Sequence, residues 1–424
     1  MRALSEGSIR LMRAGVCCLF LSILLGVLSA CAGGNDGTTR IQAYLRRNSA
    51  AVPSAADGAF KIPSAILDDV VDNYKVILTG ESHGMAMNYR LRRAFLSYLK
   101  QAVNVRYLLL EFGPSQAGAL NRYLETGDET VLDEMYSYFK GTYEWTRESY
   151  SFWQSVYAFN SALPQSERLV CVGIDIEHQP GHALAYLKML LPNDAPPEGI
   201  GSQVDRVRNF SRDDTTHFDV AAELSAGLGA STQDYRRYLG EDFFEFSLIV
   251  ESTVAARDAY RARRTDGGRT AFRQLRDRRM YLNFVRLYNR LPSGAYWGHF
   301  GDAHIFHKRT NNVEWLGAQL EYDGSPVAGR VLSIAFAYED CTAMTRNGGA
   351  YGASPAGNVK PGLFDFYEGS DPILFKLIGK GSPAYSSQLV TRIGSGGSAE
   401  YFDYLLLIRG AEPTVPLRGS DEQH

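Results

Sequence analysis

The sequence has few cysteines and little net charge. Five of its 424 residues are cysteines, and no pair of them has the spacing of a zinc site. The formal charge is -3, which gives no reason to expect a nucleic-acid partner, because binding of nucleic acid calls for a basic face. The segment Gly80-Glu81-Ser82-His83-Gly84 has Gly-x-Ser-x-Gly spacing, but no Ser-His-Asp arrangement is apparent in the sequence, so we expect no serine nucleophile.

Long hydrophobic runs are also scarce, and the clearest one lies close to the first residue. Three arginines precede an apolar run over residues 16–28, which is shorter than the roughly 20 residues of a spanning helix. The run ends in Leu28-Ser29-Ala30-Cys31, which resembles the lipobox of bacterial lipoproteins. We therefore expect residues 1–31 to be a signal peptide ending at Cys31, the future lipidated residue. A simple cleaved signal peptide with an incidental cysteine is the alternative.

The residues after Cys31 predict where the protein is found. Ala32 and Gly33 stand where an aspartate would signal inner-membrane retention. The usual sorting rule then predicts a cell-envelope protein, lipid-anchored in the outer membrane of a Gram-negative cell. Residues 32–58 are mostly small and polar, which predicts a flexible tether between the membrane and the folded domain.

The remaining length is enough for a large core. We expect one domain over residues 59–413, with residues 414–424 as a tail. Inside the domain, residues 192–279 have helical character and little strand signal, which predicts a helical insertion or cap over the sheet. Cys171 and Cys341 are the cysteines of this domain, and the pattern allows either two buried thiols or one disulfide.

Two apolar runs that end in carboxylates predict a βαβ unit. Residues 76–80 and 108–110 have the composition of buried strands, and they end at Glu81 and Glu111. Residues 88–99 between them have helical periodicity, and a right-handed crossover makes the two strands parallel. We therefore predict the α/β fold class, with a mainly parallel central sheet flanked by helices. Further strand signals lie at residues 169–174, 294–299, 330–337 and 404–408.

Polar side chains follow strand after strand of this predicted sheet. His83 comes two residues after Glu81, and Asp175 follows a later strand signal. Another strand signal ends in a further polar set, His299, Asp302 and His304. Because the carboxyl ends of parallel strands meet at one edge where ligands bind, we expect one site there. Alternatively, Glu81 caps the following helix and His83 is an ordinary loop histidine.

An arginine-rich segment precedes the strand that ends at His299. It opens a helix with Arg276, and its charges predict one of two arrangements. Either they form a solvated first turn, or one arginine reaches back to hold the site carboxylates.

The order of these motifs resembles that of erythromycin esterase-like proteins. That group is similar to a wider superfamily with ChaN-like haem-uptake lipoproteins and TraB/Tiki peptidase-like proteins. The resemblance covers residues 76–304 and implies hydrolysis of a small-molecule substrate. Its segments are Gly80–Gly84, Leu110–Glu111, Gly173–Asp175, Arg276–Met280 and Gly298–His304. Carried over by position, it implies an active-site set of Glu81, His83, Arg92, Glu111, His299 and His304.

The chain departs from that family at two motifs. Only Ser82 stands between Glu81 and His83, where erythromycin esterases usually have two residues, and this spacing is more similar to ChaN-like proteins. The segment 300–302 stands where the family usually has a motif built around an asparagine. The resemblance therefore implies a shared site more directly than it implies macrolide hydrolysis.

The leading hypothesis is hydrolysis of an ester or a related bond by activated water. His83 or His299 would remove a proton from the water, because an imidazole has a near-neutral pKa. Glu81 and Glu111 would orient that imidazole and stabilise its charged form. Arg92, or the arginine that opens the later helix, would hold carboxylates or face the oxyanion.

Two other hypotheses use the same residues. In one, a divalent metal lowers the pKa of bound water, although the leading hypothesis needs no cofactor. Its candidate ligands are Glu81, His83, Glu111 and His299. In the other, the protein is a haem- or ligand-binding lipoprotein of ChaN-like type and performs no catalysis.

Overall fold

The computed structural model describes residues 37–417 except positions 57, 348, 349 and 392. The predicted signal peptide, Cys31 and the end of the predicted tail lie outside these residues. Within the described part of the chain, no helix is both long and apolar enough to cross a membrane.

The centre of the molecule is an eight-stranded sheet, and a separate two-stranded hairpin lies beside it. The strands are β1 (Ser49–Ala51), β2 (Val76–Glu81), β3 (Val105–Leu110), β4 (Val170–Gly173), β5 (Ala295–Gly301), β6 (Val331–Glu339), β7 (Cys341–Asn347), β8 (Ala350–Ala356), β9 (Ile373–Lys376) and β10 (Tyr404–Arg409). The sheet order is β1-β9-β10-β6-β2-β5-β3-β4, and β7 pairs with β8. All neighbours from β10 to β4 run parallel, whereas β9 and β1 add an antiparallel edge. The prediction of an α/β fold with a mainly parallel sheet is confirmed.

Helices cover both faces of the sheet. The first, α1, spans residues 37–47. The others are α2 (Ser64–Val71), α3 (Ala86–Val103), α4 (Pro114–Thr126), α5 (Glu129–Ser137), α6 (Arg147–Ser161), α7 (Pro180–Met189), α8 (Gly201–Arg208), α9 (His217–Ala230), α10 (Thr232–Leu239), α11 (Phe243–Arg263), α12 (Gly268–Arg290) and α13 (Leu316–Leu320).

Two hydrophobic cores lie on opposite faces of the sheet. Along β2, Ile77 belongs to one core, whereas Val76 and Leu78 belong to the other, because strand side chains alternate between faces. The first core packs α3, α4 and α6 against the sheet, and the second packs α1, α12 and α13. Since both faces are covered, β2 is buried along its whole length and begins as a continuous apolar run.

The prediction of a tether over residues 32–58 is wrong for the described part of that range. Helix α1 buries Ile41 and Leu45, four residues apart on one face, in the second core. Strand β1 then pairs with β9. The small polar residues around the two apolar ones concealed this amphipathic pattern.

The predicted tail also needs correction at its start. Thr414 is buried, and its backbone N–H donates to the carbonyl oxygen of Gly84 at 2.9 Å. The N–H of Leu417 donates to the carbonyl of Trp145 at 3.1 Å. Backbone hydrogen bonding therefore fixes this segment to the domain, although its sequence is polar.

The range 192–279 contains only helices as regular elements, but its upper boundary falls inside α12, which continues to Arg290. Helices α7 to α11 share a third hydrophobic core. Sequence patterns missed β1, β9 and the β7–β8 hairpin, which are short or rich in small residues. Cys171 and Cys341 are both buried and unpaired.

Candidate active site

The predicted site residues lie at the carboxyl edge of the sheet. Glu81 is the last residue of β2, and Glu111 directly follows β3. His299 lies in β5, the strand between these two in the sheet. Parallel pairing aligns Thr79 of β2 and Leu110 of β3 with His299. The side chains of Glu81, Glu111 and His299 therefore meet at this edge.

Glu81 is bound by two histidines, one on each carboxylate oxygen. Its Oε1 lies 3.0 Å from Nδ1 of His83, and its Oε2 lies 2.7 Å from Nε2 of His299. Burial alone would raise the pKa of Glu81, but the two histidines lower it to about 2. Glu81 is therefore an anion that orients both rings.

His299 is buried behind Glu81, with both ring nitrogens occupied. Nδ1 lies 2.7 Å from Oγ1 of Thr79, which also accepts a 3.1 Å hydrogen bond from Nε1 of Trp297. Burial lowers the pKa of His299 although Glu81 opposes this shift. A neutral His299 donates through Nε2 to Glu81 and has Nδ1 against the Thr79 hydroxyl, so neither nitrogen is left for a substrate.

His83 is the more accessible histidine, with 38% of its side chain exposed. Glu81 holds Nδ1, so Nε2 is the nitrogen available to a ligand. Nε2 lies close to Gly301, because a Cβ added at that glycine would be 3.3 Å from it. The ring stacks on Tyr143 with centroids 5.7 Å apart. Burial opposes charge on His83, but the hydrogen bond to Glu81 and the nearby Glu111 raise its pKa to about 9.

The loop that carries His83 is fixed on both sides. The N–H of Ser82 donates to the Tyr338 hydroxyl at 3.2 Å, and that hydroxyl donates to Asn88 at 2.9 Å. The side-chain amide of Asn88 in turn donates a 2.9 Å hydrogen bond to the carbonyl of Ser82. On the other side, the carbonyl of Gly84 accepts from the N–H of Met344 at 2.8 Å. The histidine is therefore held in place before any ligand arrives.

Arg276 of α12 reaches back and joins two carboxylates, as one of the two sequence interpretations expects. Its Nη2 donates to Oε1 of Glu111 at 2.7 Å and to Oδ2 of Asp175 at 2.5 Å. The N–H of Gly301 donates to Oε2 of Glu111 at 2.6 Å. Burial works against ionisation of both acids, but Arg276 lowers the pKa of each below its usual range.

His304 lies deeper, beside this cluster. Its Nδ1 is 2.8 Å from Oδ1 of Asp277, and its Nε2 is 3.2 Å from Nη1 of Arg276 and 3.4 Å from Glu111. Its ring is buried, so it supports Glu111 and Arg276 and does not face the cavities. Asp302 lies apart from it, on the wall of the outer cavity described below.

Two cavities flank His83. The inner cavity, of about 130 Å³, is bounded by Arg92, Glu111 and Glu144 as well as by Glu81 and His83. The guanidinium of Arg92 stacks on Phe152 at 4.3 Å, and its Nε is buried without a hydrogen bond. Arg92 thus brings a positive charge to the cavity, and no carboxylate is bound to its Nε.

The outer cavity, of about 360 Å³, opens between the sheet edge and the β7–β8 hairpin. Tyr143 lines both cavities, as Glu81 and His83 do. A larger cavity of about 650 Å³ lies between α2 and α3, away from the carboxyl edge, and none of the predicted site residues lines it. The chemistry-bearing groups therefore converge on the two cavities at His83.

Sequence reasoning missed several residues of this region. Asp277, Tyr143 and Glu144 contact the site from helices or loops that have no strand-end signal. It also missed a buried cluster in which the Ser115 hydroxyl donates to Glu177 at 2.8 Å and lies 2.9 Å from Nδ1 of His182. Ser115 is fully buried, so this cluster is not a nucleophilic triad.

The four predicted metal ligands do not fit a metal ion. Both oxygens of Glu81 bind histidines, and both oxygens of Glu111 bind Arg276 and Gly301. Arg276 already supplies positive charge beside these acids. In the described residues, no group of three or more His, Cys, Asp or Glu side chains is arranged to hold a metal ion. The donors form hydrogen-bonded pairs and do not converge on one point.

The fold and site define an α/β protein with a polar cleft at the carboxyl edge of a parallel sheet. The sequence matches no protein-family profile and no curated protein. Solved structures with the same architecture are nevertheless similar over most of the chain.

Three of those structures align closely in backbone. A Bacillus cereus protein gives a TM-score of 0.64 at 15% identity, over 90% of this chain and 99% of that chain. A mutant of the erythromycin esterase EreC in its open conformation gives 0.63 at 16% identity, over 85% and 97%. A succinoglycan biosynthesis protein gives 0.63 at 12% identity, over 91% and 98%. The expected resemblance to an erythromycin esterase is therefore confirmed for the fold.

A structure of haem-binding ChaN from Campylobacter jejuni is much less similar. It gives a TM-score of 0.30 at 12% identity over 67% of this chain, which is too low to indicate a shared fold.

Proposed function

We propose that this protein is a hydrolase that cleaves an ester or a related bond in a small-molecule substrate, with His83 as general base. The observation that carries the proposal is the pair Glu81–His83, joined at 3.0 Å through Nδ1. That hydrogen bond fixes the ring and its tautomer, and it leaves Nε2 beside both cavities.

The proposed reaction needs no covalent intermediate with the protein. Nε2 of His83 takes a proton from water as the water oxygen attacks the carbonyl carbon. The carbonyl electron pair moves onto oxygen and forms a tetrahedral oxyanion. When this collapses, the bond to the leaving oxygen breaks, and the proton on His83 passes to the leaving group. Water is consumed, and an acid and an alcohol are released.

The neighbouring residues support these steps in different ways. Arg92 has a buried Nε without a hydrogen bond, and it faces the inner cavity, where it would stabilise the oxyanion. Glu81 offsets the positive charge that His83 gains. His299 does not contact substrate in this proposal, because both its nitrogens are occupied, so it positions Glu81.

The first test replaces His83 and measures ester hydrolysis. On a panel of activated aryl esters, His83→Ala should lower kcat/KM by about two to four orders of magnitude, because the general base is lost. His217→Ala is the matched control, since this half-buried histidine lines neither cavity. Both variants should still unfold in one cooperative thermal transition, which shows that they are folded. Wild-type rates in His83→Ala would eliminate the proposed mechanism.

The proposal includes anchoring of the mature chain through a lipid on Cys31, in the outer membrane. The supporting feature is the sequence Leu28-Ser29-Ala30-Cys31 after a short apolar run. Cys31→Ser should move the protein from the membrane fraction to the soluble fraction without lowering its melting temperature. Retention of the variant in the membrane would show instead that an uncleaved N-terminal segment anchors it.

A further inference from the structure

The pair of helices that brings Arg276 to the site also carries a strongly basic surface. Residues 255–279, which span the end of α11 and the first half of α12, contain nine arginines, three aspartates and no lysine or glutamate. Their formal charge is thus +6, in a chain whose formal charge is -3. This helical hairpin is therefore a locally basic part of a chain whose net charge is slightly negative.

Six of these arginines are exposed and form what we name the arginine surface. They are Arg261, Arg263, Arg264, Arg269, Arg273 and Arg278. Among the described residues, no carboxylate lies within ion-pair distance of any of the six, whereas Arg257, Arg276 and Arg279 of the same segment are paired. An uncompensated cluster of this kind repels itself and attracts anions.

Aromatic rings hold part of the arginine surface in position. Arg263 lies over Phe272 at 5.4 Å, and Arg278 lies over Tyr281 at 5.4 Å. Guanidinium groups that are already oriented lose less entropy when they bind phosphate in a bidentate manner. The surface is therefore suited to phosphate-bearing partners.

Exposed leucines lie beside these charges. Leu275 is 45% exposed and Leu282 is 36% exposed, and they lie two turns apart on the outer face of α12 with Arg278 between them. Arginines next to protruding apolar side chains are typical of helices that lie at a membrane surface. Nucleic acids would use the charges but would leave both leucines in water.

The surface also lies on the side of the molecule where the cavities are. Tyr260 and Phe272 pack around His178, which follows β4 at the carboxyl edge. Gly268, at the start of α12, is eight residues before Arg276, which corresponds to about 12 Å along the helix axis. The tip of the hairpin is thus about two helical turns from Arg276, which binds the carboxylates of the site.

We propose that the arginine surface docks the protein on an anionic lipid bilayer. The guanidinium groups bind headgroup phosphates, and Leu275 and Leu282 enter the boundary between headgroups and acyl chains. This inference is independent of the hydrolase proposal, because it uses none of the residues at His83.

A solvatochromic probe can detect this contact in the full-length chain. A Leu275→Cys variant labelled with the dye NBD should brighten and shift to the blue on phosphatidylcholine vesicles that contain phosphatidylglycerol, and much less on phosphatidylcholine alone. The control places the dye at Tyr385, which is 48% exposed and lies between β9 and β10, toward the other end of the sheet order from β4. The labelled parent chain provides the blank. Equal signals at both positions, or no dependence on anionic lipid, would overturn the proposal.

Charge variants test which arginines are responsible. The triple change Arg263→Gln, Arg264→Gln and Arg269→Gln should weaken binding to the anionic bilayer about a hundredfold. Each basic residue near an anionic surface strengthens binding about fivefold, and three are removed. The matched control is Arg93→Gln, Arg122→Gln and Arg147→Gln, which removes three exposed arginines from other surfaces. Unchanged docking in the first triple, or equal loss in the second, would reject the arginine surface.

A second pair of measurements distinguishes a bilayer from a soluble polyanion. Leu282→Ser should reduce the response to anionic vesicles and leave binding to heparin unchanged. Binding to heparin or duplex DNA without any vesicle response would refute membrane docking. Hydrolysis of a soluble aryl ester should stay at the wild-type rate in all these variants, so loss of docking and loss of the proposed activity are separable.

Discussion

The three histidines of the predicted site differ in what occupies their ring nitrogens. His299 has both nitrogens bound by side chains and is buried. His304 is bound by Asp277 and lies against Arg276. His83 has one nitrogen on Glu81 and the other beside the cavities. Identical side chains therefore have different chemical capacities, and the difference depends on their partners.

The raised pKa of His83 predicts an alkaline pH optimum. Because that pKa is about 9, the ring is protonated at neutral pH and must lose this proton before it accepts one from water. We expect kcat/KM to rise about tenfold per pH unit below the pKa and to level off above it. Glu81→Gln should move this rise to lower pH. A rate that does not change between neutral and alkaline pH would contradict the assignment.

The raised pKa of His83 also predicts that stability depends on pH, which can be measured without a substrate. In the folded protein the pKa of His83 is raised from 6.5 to about 9. Its contribution to the free energy of unfolding is therefore fully present below pH 6.5 and is lost as the pH rises through about 9. The melting temperature of the wild type relative to His83→Ala should therefore fall across this interval.

At the scale of elements, Arg276 connects three parts of the chain. It lies on α12 and binds Glu111 after β3 and Asp175 after β4. Since Asp175 is fully buried, its charge depends on this partner. The helix is thereby fixed against the strand ends that form the site.

This arrangement predicts a large cost for Asp175→Asn. The change removes one carboxylate of the buried cluster and leaves Arg276 with Glu111 alone, and we expect a loss of about 3–5 kcal/mol in the free energy of unfolding. Asp258→Asn is the control, because Asp258 pairs with Arg257 at the surface and should cost less than about 1 kcal/mol. Urea titration measures both. Equal costs would mean that the Arg276 cluster adds no more stability than a surface pair.

At the scale of the whole molecule, the folded unit begins earlier than its sequence pattern predicted. Helix α1 packs into the second core and β1 completes the antiparallel edge of the sheet. The start of the predicted tail likewise reaches the loop of His83 through Gly84. Segments from both ends of the described chain therefore stabilise the domain.

Leu45→Ala tests whether this early segment is structural. Leu45 is fully buried, so its truncation should lower the free energy of unfolding by about 2–5 kcal/mol. Arg47→Ala, an exposed change two residues away, should have little effect. An unaltered melting temperature in Leu45→Ala would restore the interpretation of this segment as a tether.

The sequence by itself determined the fold class and the strand ends that bear the chemistry. Apolar runs such as residues 76–80 predict buried parallel strands, because burial on both faces leaves a continuous local pattern. The spacing of Glu81 and His83 is also local, so their pairing could be anticipated. Short strands such as β1 and β9 have no comparable local signal.

Only the tertiary structure decided which groups are available for chemistry. Nothing in the sequence distinguishes His83 from His299, because the difference lies in Thr79 on the neighbouring strand and in its contact with Trp297. Likewise, Arg276 reaches Asp175 across 101 positions of the chain. Sheet register and helix packing bring such residues together, and those are properties of the folded chain as a whole.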